Sequence, residues 1–177
     1  MIRIVKKKGE LMFFNIQYDL FPANKDDKRV IKDLFEEGVK IGAYETTIND
    51  NELQFNRMLE SMVSGLPFPD QYGRAVSTLS CKDNNTTIGF MTIAVDQIKK
   101  EVELWYFSLL SSIKNKGKGQ KFLEVLFKML KRETPDYKLF ARCKDSSVEI
   151  SHLLNKNKFI KERLNSQVFN FYYCHKI

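Results

Sequence analysis

The sequence contains few of the residues that mark disulfide-rich, metal-binding or membrane proteins. Its three cysteines are an odd number without C-x-x-C spacing, so neither a disulfide framework nor a zinc site is indicated. No apolar run approaches the ~20 residues that a membrane span requires, and the first residues offer no signal-peptide core. These absences predict a cytoplasmic protein that binds no metal and does not associate with a membrane.

The abundant residues are those of an ordinary globular core. Of the 177 residues, 43% are apolar and 29% are charged, and 14 phenylalanines with 7 tyrosines supply bulky core material. No period of roughly 20 to 50 residues recurs, and no linker rich in proline, glycine and serine divides the chain. We therefore predict one domain over residues 1–177.

The net charge of +7 suggests an anionic partner, but the sign of the charge alone does not identify one. The run Lys6 to Lys8 is shorter than the roughly 5 to 8 residues of typical basic patches, and aromatic residues are not interleaved with it. A solvated leader is therefore favoured, and a nucleic-acid-binding arm is kept as a disfavoured alternative.

Apolar periodicity and turn residues predict strands and helices in a definite order. The first part of the chain indicates a strand over residues 11–20 that stops at Pro22, a helix capped by Asp26 or Asp27, and a second helix that ends before Pro67. The two helices are identified by apolar residues at helical spacing: Val30, Ile31, Leu34, Phe35 and Val39 in the first, and Leu53, Phe55, Met58, Leu59, Met62 and Val63 in the second.

After the second helix, the sequence predicts a hairpin, a central strand, a strongly amphipathic helix, a short strand, a short helix and a closing hairpin. The central strand contains the continuous apolar run Trp105-Tyr106-Phe107, which is typical of burial on both faces. In chain order, the hairpin is expected over 74–81 and 86–95, around the turn 82–85, and the central strand over 101–110. The amphipathic helix has its apolar residues between 122 and 130 and ends near Pro135. The short strand covers 137–143, the short helix is capped by Ser146 or Ser147, and the last two strands cover 159–164 and 168–174.

The segment Lys114-Asn115-Lys116-Gly117-Lys118-Gly119 lies between the central strand and the amphipathic helix. Glycine lets a backbone approach a ligand closely, and a helix N-terminus presents unpaired N–H groups to an anion. With its lysines, the segment predicts a phosphate site, and a tight turn with solvated lysines is the alternative. It is neither a P-loop nor a dinucleotide fingerprint, because Phe122 stands where the latter needs a third glycine.

At this segment the chain resembles the GNAT superfamily of N-acetyltransferases, whose hallmark is [Q/R]-x-x-G-x-[G/A] after the fourth strand. The order of elements is also similar. The resemblance implies an α+β fold with a mixed, largely antiparallel sheet of six or seven strands, helices on both faces, and a splay between strands 4 and 5. The chain departs from the family pattern at Lys114, which replaces Arg or Gln, and in the C-terminal motif, where only Leu153 and Phe159 agree.

The resemblance also implies acetyl-CoA as the cofactor and an amine as the acceptor. The family holds the pantetheine arm with backbone groups of the splayed strand and the pyrophosphate with the glycine turn. On this chain those positions are Phe107, Leu109, Lys114, Asn115, Lys116, Gly117, Lys118 and Gly119.

For the general base, the resemblance points to a glutamate eleven residues before the turn motif, which is Glu103. A carboxylate within an aromatic strand would be partly desolvated and suited to proton transfer. The alternative is an exposed strand residue paired with Lys99 or Lys100, and Glu101 is the second choice for the base.

The family's proton donor to the thiolate is a tyrosine, and here that position is Leu154, whose hydrocarbon side chain cannot donate. Among its helical neighbours, His152 has the most suitable chemistry, although a surface histidine without a catalytic role is the alternative. Water is a further candidate donor. Cys143 is disfavoured as a nucleophile because no histidine lies near it in sequence.

In this fold the acceptor is selected by the loop between the first two helices and by the last hairpin, here residues 42–51 and 165–167. Tyr44, Glu45 and Asp50 would suit a cationic amine such as lysine, a polyamine or an aminoglycoside, and a solvated loop is the alternative.

Taken together, these features predict an enzyme that moves an acetyl group from acetyl-CoA to a primary amine of a small molecule or protein. The alternative is a catalytically inactive GNAT-fold module that binds CoA or a protein. A homodimer is left open by the sequence.

Overall fold

The computed structural model describes residues 20–44, 51–113, 116–162 and 169–174. The strands are β1 (Leu20–Pro22), β2 (Phe68–Pro69), β3 (Ala75–Asp83), β4 (Thr86–Asp96), β5 (Glu101–Leu109), β6 (Lys138–Lys144), β7 (Ile160–Glu162) and β8 (Phe169–Cys174). The helices are α1 (Lys28–Lys40), α2 (Glu52–Met62), α3 (Lys118–Glu133) and α4 (Val148–Lys156), and 3-10 turns occupy Lys25–Asp27 and Ser111–Ile113. No described helix combines the length and the apolar character needed to cross a membrane.

The predicted order of elements is confirmed wherever the chain is described. The predicted strand over residues 11–20 lies outside the described residues except for Leu20, and β1 continues from there to Pro22. The connection 165–167 of the closing hairpin likewise lies outside them.

The start of α1 refines the predicted cap. Helix α1 begins after Asp27, but its carboxylate makes no cap hydrogen bond to the helix. Instead, Asn24 caps the preceding 3-10 turn, and its backbone N–H donates to Asp27 Oδ2 at 2.9 Å. The buried Asp27 carboxylate also accepts from Thr87 Oγ1 and pairs with Lys82 Nζ at 3.2 Å, which ties this turn to the β3–β4 hairpin.

The strands form one sheet in the order β1-β3-β4-β5-β6-β8-β7, with the short β2 also paired with β3. Every described pairing is antiparallel except β5 with β6, which are parallel and connected through α3. A parallel pair requires such a crossover, because a tight turn can join only antiparallel strands. The predicted mixed, largely antiparallel sheet is confirmed, with eight described strands where six or seven were expected.

The β3–β4 hairpin turns at Asn84 and Asn85, whose φ angles are 48° and 64°. Two consecutive left-handed residues match the right-handed twist of the strands, and asparagine tolerates this conformation better than most residues. The predicted turn over residues 82–85 therefore narrows to its two asparagines.

Helices cover both faces of the sheet, as predicted. On one face, α1 and α2 bury a core that includes Ile31, Phe35, Leu59 and Phe90. On the other, α3 and Leu154 of α4 pack on the inward residues of the strands. The apolar residues at helical spacing in α1 and α3 form these buried faces, which is why the sequence pattern identified both helices.

The sheet opens between β5 and β6, which pair only from Glu101 to Leu104. Against β4, the register of β5 shifts between Leu104 and Tyr106, so that Trp105 is the extra residue of a bulge. A bulge bends its strand and increases the local twist. From Trp105 to Leu109, β5 thus has no described partner strand on the β6 side, and the predicted splay is found there.

Candidate active site

A cavity of about 1170 Å³ occupies the wedge between β5 and β6. Typical ligand sites measure roughly 300–1,000 Å³, so this one has room for a long ligand and a second molecule. Its walls come from β5, β6, the end of α1, the start of α3 and one side of α4. The cavity follows β5 from Glu103 to Leu109, a distance of roughly 20 Å at about 3.3 Å per residue.

One end of the cavity, the turn end, consists of Gly117, Gly119 and Gln120 at the start of α3. Gly117 is the N-cap residue with a φ of 73°, a left-handed conformation that suits glycine. It has no side chain to cap the helix, so the first N–H groups of α3 lack a side-chain cap at the cavity wall. This arrangement suits a phosphate or another anion.

Gly119 forms a cradle that any side chain would fill. A Cβ atom built there would lie 3.2 Å from Leu153 Cδ2, 3.6 Å from Leu109 Cδ1 and 3.9 Å from Phe107 Cε1. The start of α3 therefore packs closely against both the splayed part of β5 and α4. The predicted residues Phe107, Leu109, Gly117 and Gly119 all lie on the cavity wall.

The lysines of the turn are placed differently from one another. Lys114 and Asn115 lie outside the described residues, and Lys116 is exposed. Lys118 Nζ pairs with Asp83 Oδ2 at 2.8 Å, on the neighbouring hairpin. Its ammonium group is thus already bound to a carboxylate.

The start of α3 is also tied to the end of α4. The side-chain amides of Gln120 and Asn157 exchange two hydrogen bonds of 2.9 Å each. Asn157 Nδ2 also donates to the backbone oxygen of Leu153 at 2.7 Å, and this bond satisfies one of the carbonyl groups in the last turn of α4.

The other end, the charged end, consists of Tyr44, Glu103, Arg142 and Lys144. Glu103 is 2% exposed, and both of its oxygens are paired: Oε2 with Arg74 Nη1 at 2.6 Å and Oε1 with Arg142 Nε at 2.5 Å. The alternative interpretation of Glu103, as an exposed residue paired with Lys99 or Lys100, is therefore wrong. Glu103 faces the cavity, whereas those lysines lie in the β4–β5 turn.

Arg74, which does not line the cavity, is held in place by several contacts. Its Nε donates to Asp70 Oδ2 at 2.7 Å, and its guanidinium lies 5.1 Å from the ring centroid of Trp105 and 5.6 Å from that of Tyr72. Its Nη2 is buried without a protein partner. Nothing in the sequence signalled Arg74 or Arg142, because they come from elements 29 and 39 residues from Glu103.

Tyr44 reaches across from the end of α1 to β5. Its hydroxyl interacts with the Ser108 side chain and the Phe107 backbone, and burial raises its pKa well above the ordinary 10.0. A Cβ atom at Gly38 would lie only 2.4 Å from the Tyr44 ring, so glycine is required there to admit the ring. The phenol is therefore protonated at neutral pH, and its hydroxyl can donate a hydrogen bond to β5.

Two hydrogen bonds join the segment after α1 to the end of β6 and the turn beyond it. Ser146 Oγ donates to the backbone oxygen of Gly42 at 2.9 Å, and Lys144 Nζ donates to that of Tyr44 at 3.2 Å. These bonds hold Tyr44 on the cavity wall, next to the end of β6. Glu45, predicted beside it, lies outside the described residues.

Helix α4 presents His152 and Leu153 to the cavity. Leu154, at the family's tyrosine position, is 0% exposed and packs in the core instead. The predicted His152 is thus on the wall, whereas Glu101, the second choice for the base, does not line the cavity. Burial raises the pKa of the Cys143 thiol to about 12, so this thiol is protonated and inert at neutral pH.

No cluster of three or more potential metal ligands occurs among the described residues. No protein-family model and no curated protein matches the sequence.

Solved structures, by contrast, resemble the chain over nearly its whole length. RimL, a ribosomal L7/L12 alpha-N-protein acetyltransferase in complex with coenzyme A, has a TM-score of 0.62 at 16% identity, over 88% of this chain and 92% of that one. A GNAT-family acetyltransferase from Bacillus cereus has a TM-score of 0.55 at 18% identity, over 89% and 96%. The chain has the GNAT fold.

A third GNAT-fold structure, a chimera of the spermidine N-acetyltransferase SpeG from Vibrio cholerae and hSSAT, has a TM-score of 0.60 at 14% identity, over 87% of this chain and 93% of that one. At sequence identities this low, the structural similarity shows the fold alone. The fold class that the resemblance implied is thereby confirmed, and the wedge between β5 and β6 is the splay expected of the GNAT fold.

Proposed function

We propose that the protein is an acetyl-CoA-dependent N-acyltransferase that moves an acetyl group to a primary amine. The observation that carries this proposal is the cavity in the β5–β6 wedge, with the uncapped start of α3 at one end and a charged, aromatic surface at the other. The GNAT fold supports it, because solved proteins with this fold include acetyltransferases.

The residues of the turn end fit coenzyme A. The N–H groups at the start of α3, with Gly117 and the Gly119 cradle, would hold the pyrophosphate, and Lys114, Asn115, Lys116 and Lys118 belong to the same proposed site. The unpaired edge of β5 at Phe107 and Leu109 would pair with the pantetheine arm as an added strand. When bound, acetyl-CoA supplies the acyl thioester.

The chemistry requires one group that takes a proton from the amine and another that gives one to the thiolate. We assign the donor role to Tyr44 from its position, because its hydroxyl interacts with β5 at Phe107 and Ser108. His152 of α4, which also lines the cavity, is the second candidate. Glu103 is the proposed base. Each oxygen of a carboxylate has two lone pairs, so Glu103 Oε1 can take the amine proton while Arg142 Nε stays beside it.

Two measurements test the proposal. Isothermal titration calorimetry should show that acetyl-CoA and CoA bind the purified protein, and a thiol-release assay with a panel of amines should show turnover. The absence of CoA binding would refute the proposal.

A catalytically inactive CoA-binding module is the second candidate. It is favoured by the burial of Leu154 at the family's tyrosine position and by the engagement of both Glu103 oxygens. It predicts CoA binding without thiol release from any amine in the panel, so the same two measurements separate the candidates.

A further inference from the structure

The charged end of the cavity is poorly suited to a cationic amine, although Tyr44, Glu45 and Asp50 led us to expect one from the sequence. Its buried carboxylate, Glu103, is bound on both oxygens by Arg74 and Arg142. Asp70, behind it, is 5% exposed and bound by Arg74. Both carboxylates are thus already paired with guanidinium groups, and neither presents an unpaired charge to a cationic ligand.

The donors at this end, in contrast, are only partly used. Arg142 contributes its Nε alone to Glu103, and its two Nη groups have no partner among the described residues. Its side chain is 38% exposed and lines the cavity. Lys144, two residues further along β6, also lines the cavity and gives one hydrogen bond, to the backbone oxygen of Tyr44. Residues two apart on a strand share a face.

The network holds Arg142 in place. Arg74 is fixed by Asp70 and by the rings of Trp105 and Tyr72, and it fixes Glu103, which in turn binds Arg142 Nε. A guanidinium restrained at Nε keeps its Nη groups in a limited set of directions. Such preorganisation lowers the entropy cost of binding a ligand.

The charged side chains around this end favour a ligand with one negative charge over a ligand with two. Arg142 and Lys144 are the cations on the cavity wall at this end, and Glu103 is shared between Arg142 and Arg74. The carboxylates of Glu37 and Glu149 also lie on the cavity wall, and Glu37 accepts from Ser111 Oγ at 2.9 Å and interacts with Tyr44. They repel a carboxylate, which carries one charge, less than a phosphate, which carries roughly two.

We propose that the acceptor is a primary amine that carries a carboxylate, bound by the Nη groups of Arg142 and the ammonium group of Lys144. Guanidinium and carboxylate match in planar, bidentate geometry, and charge-assisted hydrogen bonds are the stronger ones. The inference rests on the proposed acyl transfer for its biological meaning, but the carboxylate site is testable by binding alone. The carboxylate belongs either to a free amino acid or to an acidic residue near a peptide N-terminus.

The test uses the full chain and acceptors in matched pairs. One pair is 4-aminobutyrate against 4-aminobutyramide, and the other is a C-terminally amidated peptide that begins with aspartate against the same peptide with asparagine. Spermidine serves as the cationic acceptor. For each pair, the ratio of kcat/KM between carboxylate and amide is measured with acetyl-CoA, and the ratio of Kd is measured by calorimetry with CoA present.

We expect a ratio of about tenfold or more in favour of the carboxylate in at least one pair, and which pair shows it distinguishes a free amino acid from a peptide. Arg142→Gln and Lys144→Gln should each reduce the ratio severalfold, and Arg142→Lys should have a smaller effect. Lys156→Gln, which removes a cavity-wall cation outside the charged end, is the control and should leave the ratio unchanged.

The ratio between two acceptors does not change when a variant loses activity toward both equally. Lys144→Gln disturbs no buried ion pair, so this variant still tests the carboxylate site if Arg142→Gln proves unstable. Ratios near one in both pairs, a preference for spermidine, or ratios unchanged in Arg142→Gln and Lys144→Gln would overturn the carboxylate site. If no acceptor releases thiol, acyl transfer is refuted, while the ratios of Kd still decide whether the carboxylate site exists.

Discussion

The two ends of the cavity are built by different means. The turn end is made mostly of backbone: a left-handed glycine, a second glycine that forms a cradle, and the first N–H groups of one helix. The charged end is made of side chains from two strands and two connecting segments, held by buried ion pairs. We expect the backbone site to tolerate changes of neighbouring polar side chains but not the addition of a side chain at its glycines. We expect the ion-pair network to tolerate neither the removal of a charged group nor its replacement by a different one.

The largest effect should follow removal of the central carboxylate of the charged end. Glu103→Ala leaves the guanidinium of Arg74 buried with its charge only partly compensated. We expect a loss of about 3 kcal/mol in the free energy of unfolding, near the lower limit for broken buried pairs because Arg142 is partly solvated. Urea denaturation measures this loss.

Glu101→Ala on the same strand is the matched control and should cost below about 1 kcal/mol, since Glu101 is only half-buried. Equal losses in the two variants would show that the network does not stabilise the charged end. Glu103→Gln, which keeps the volume, reports on the proposed base through its kcat.

The turn end should be most sensitive to added volume. Gly119→Val would place methyl groups into the cradle formed by Leu153, Leu109 and Phe107, and these would displace the start of α3 from β5. The Kd for CoA should rise on the order of 100-fold in calorimetry, because the anion site depends on close backbone approach. Lys128→Val, at an exposed position of the same helix, controls for the lower helix propensity of valine. Unchanged CoA affinity in Gly119→Val would place the cofactor elsewhere.

Between the two ends, Tyr44 should affect catalysis more than binding. Tyr44→Phe removes the hydroxyl near Ser108, and we expect kcat to fall about 100-fold with little change in KM. Because the pKa of Tyr44 is raised above 10.0, the phenol remains protonated up to pH 10, and the kcat of the unmodified protein should show no loss from its ionisation between pH 8 and pH 10.

Tyr137→Phe, outside the cavity wall, is the control for Tyr44→Phe.

The pH dependence of the free energy of unfolding provides a second measurement. Since the folded pKa of Tyr44 exceeds the unfolded one, its contribution is complete below pH 10 and decreases as the pH rises through the folded pKa. Tyr44→Phe should lack this decrease. An unchanged kcat would transfer the donor role to His152.

The smallest effect should come from the ion pair beside the turn end. Asp83→Asn releases the ammonium group of Lys118, which is then free to interact with an anion at the start of α3. CoA should bind severalfold more tightly, with a steeper dependence on salt, as calorimetry at two ionic strengths would show. Weaker binding would mean that Asp83 positions the turn rather than competing for its lysine.

This contrast also explains what could be predicted from the sequence. The turn end is contiguous, and its glycines and the periodic helix that follows are local signals, so Gly117 and Gly119 were found directly. Tyr44 was predicted as a substrate residue from its loop, but its contact with Ser108 depends on the absence of a side chain at Gly38.

The partners of Glu103 were not predictable, because Arg74 and Arg142 become neighbours only through the pairing of β5 with β6 and the return of the chain before β3. Leu154 shows the same limit on a helix. A motif aligned by spacing alone placed it at the catalytic tyrosine position, whereas the rotation of α4 turns it into the core and presents His152 and Leu153.

The amide pair between Gln120 and Asn157 joins two helices that both contribute to the cavity wall. Because it joins the first turn of α3 to the last turn of α4, a ligand that shifts α4 through His152 also shifts the N–H groups at the turn end. Any such coupling is reciprocal: the factor by which CoA changes acceptor affinity equals the factor by which the acceptor changes CoA affinity. We expect Gln120→Ala to weaken this coupling, which a comparison of the Kd for CoA with and without acceptor would show.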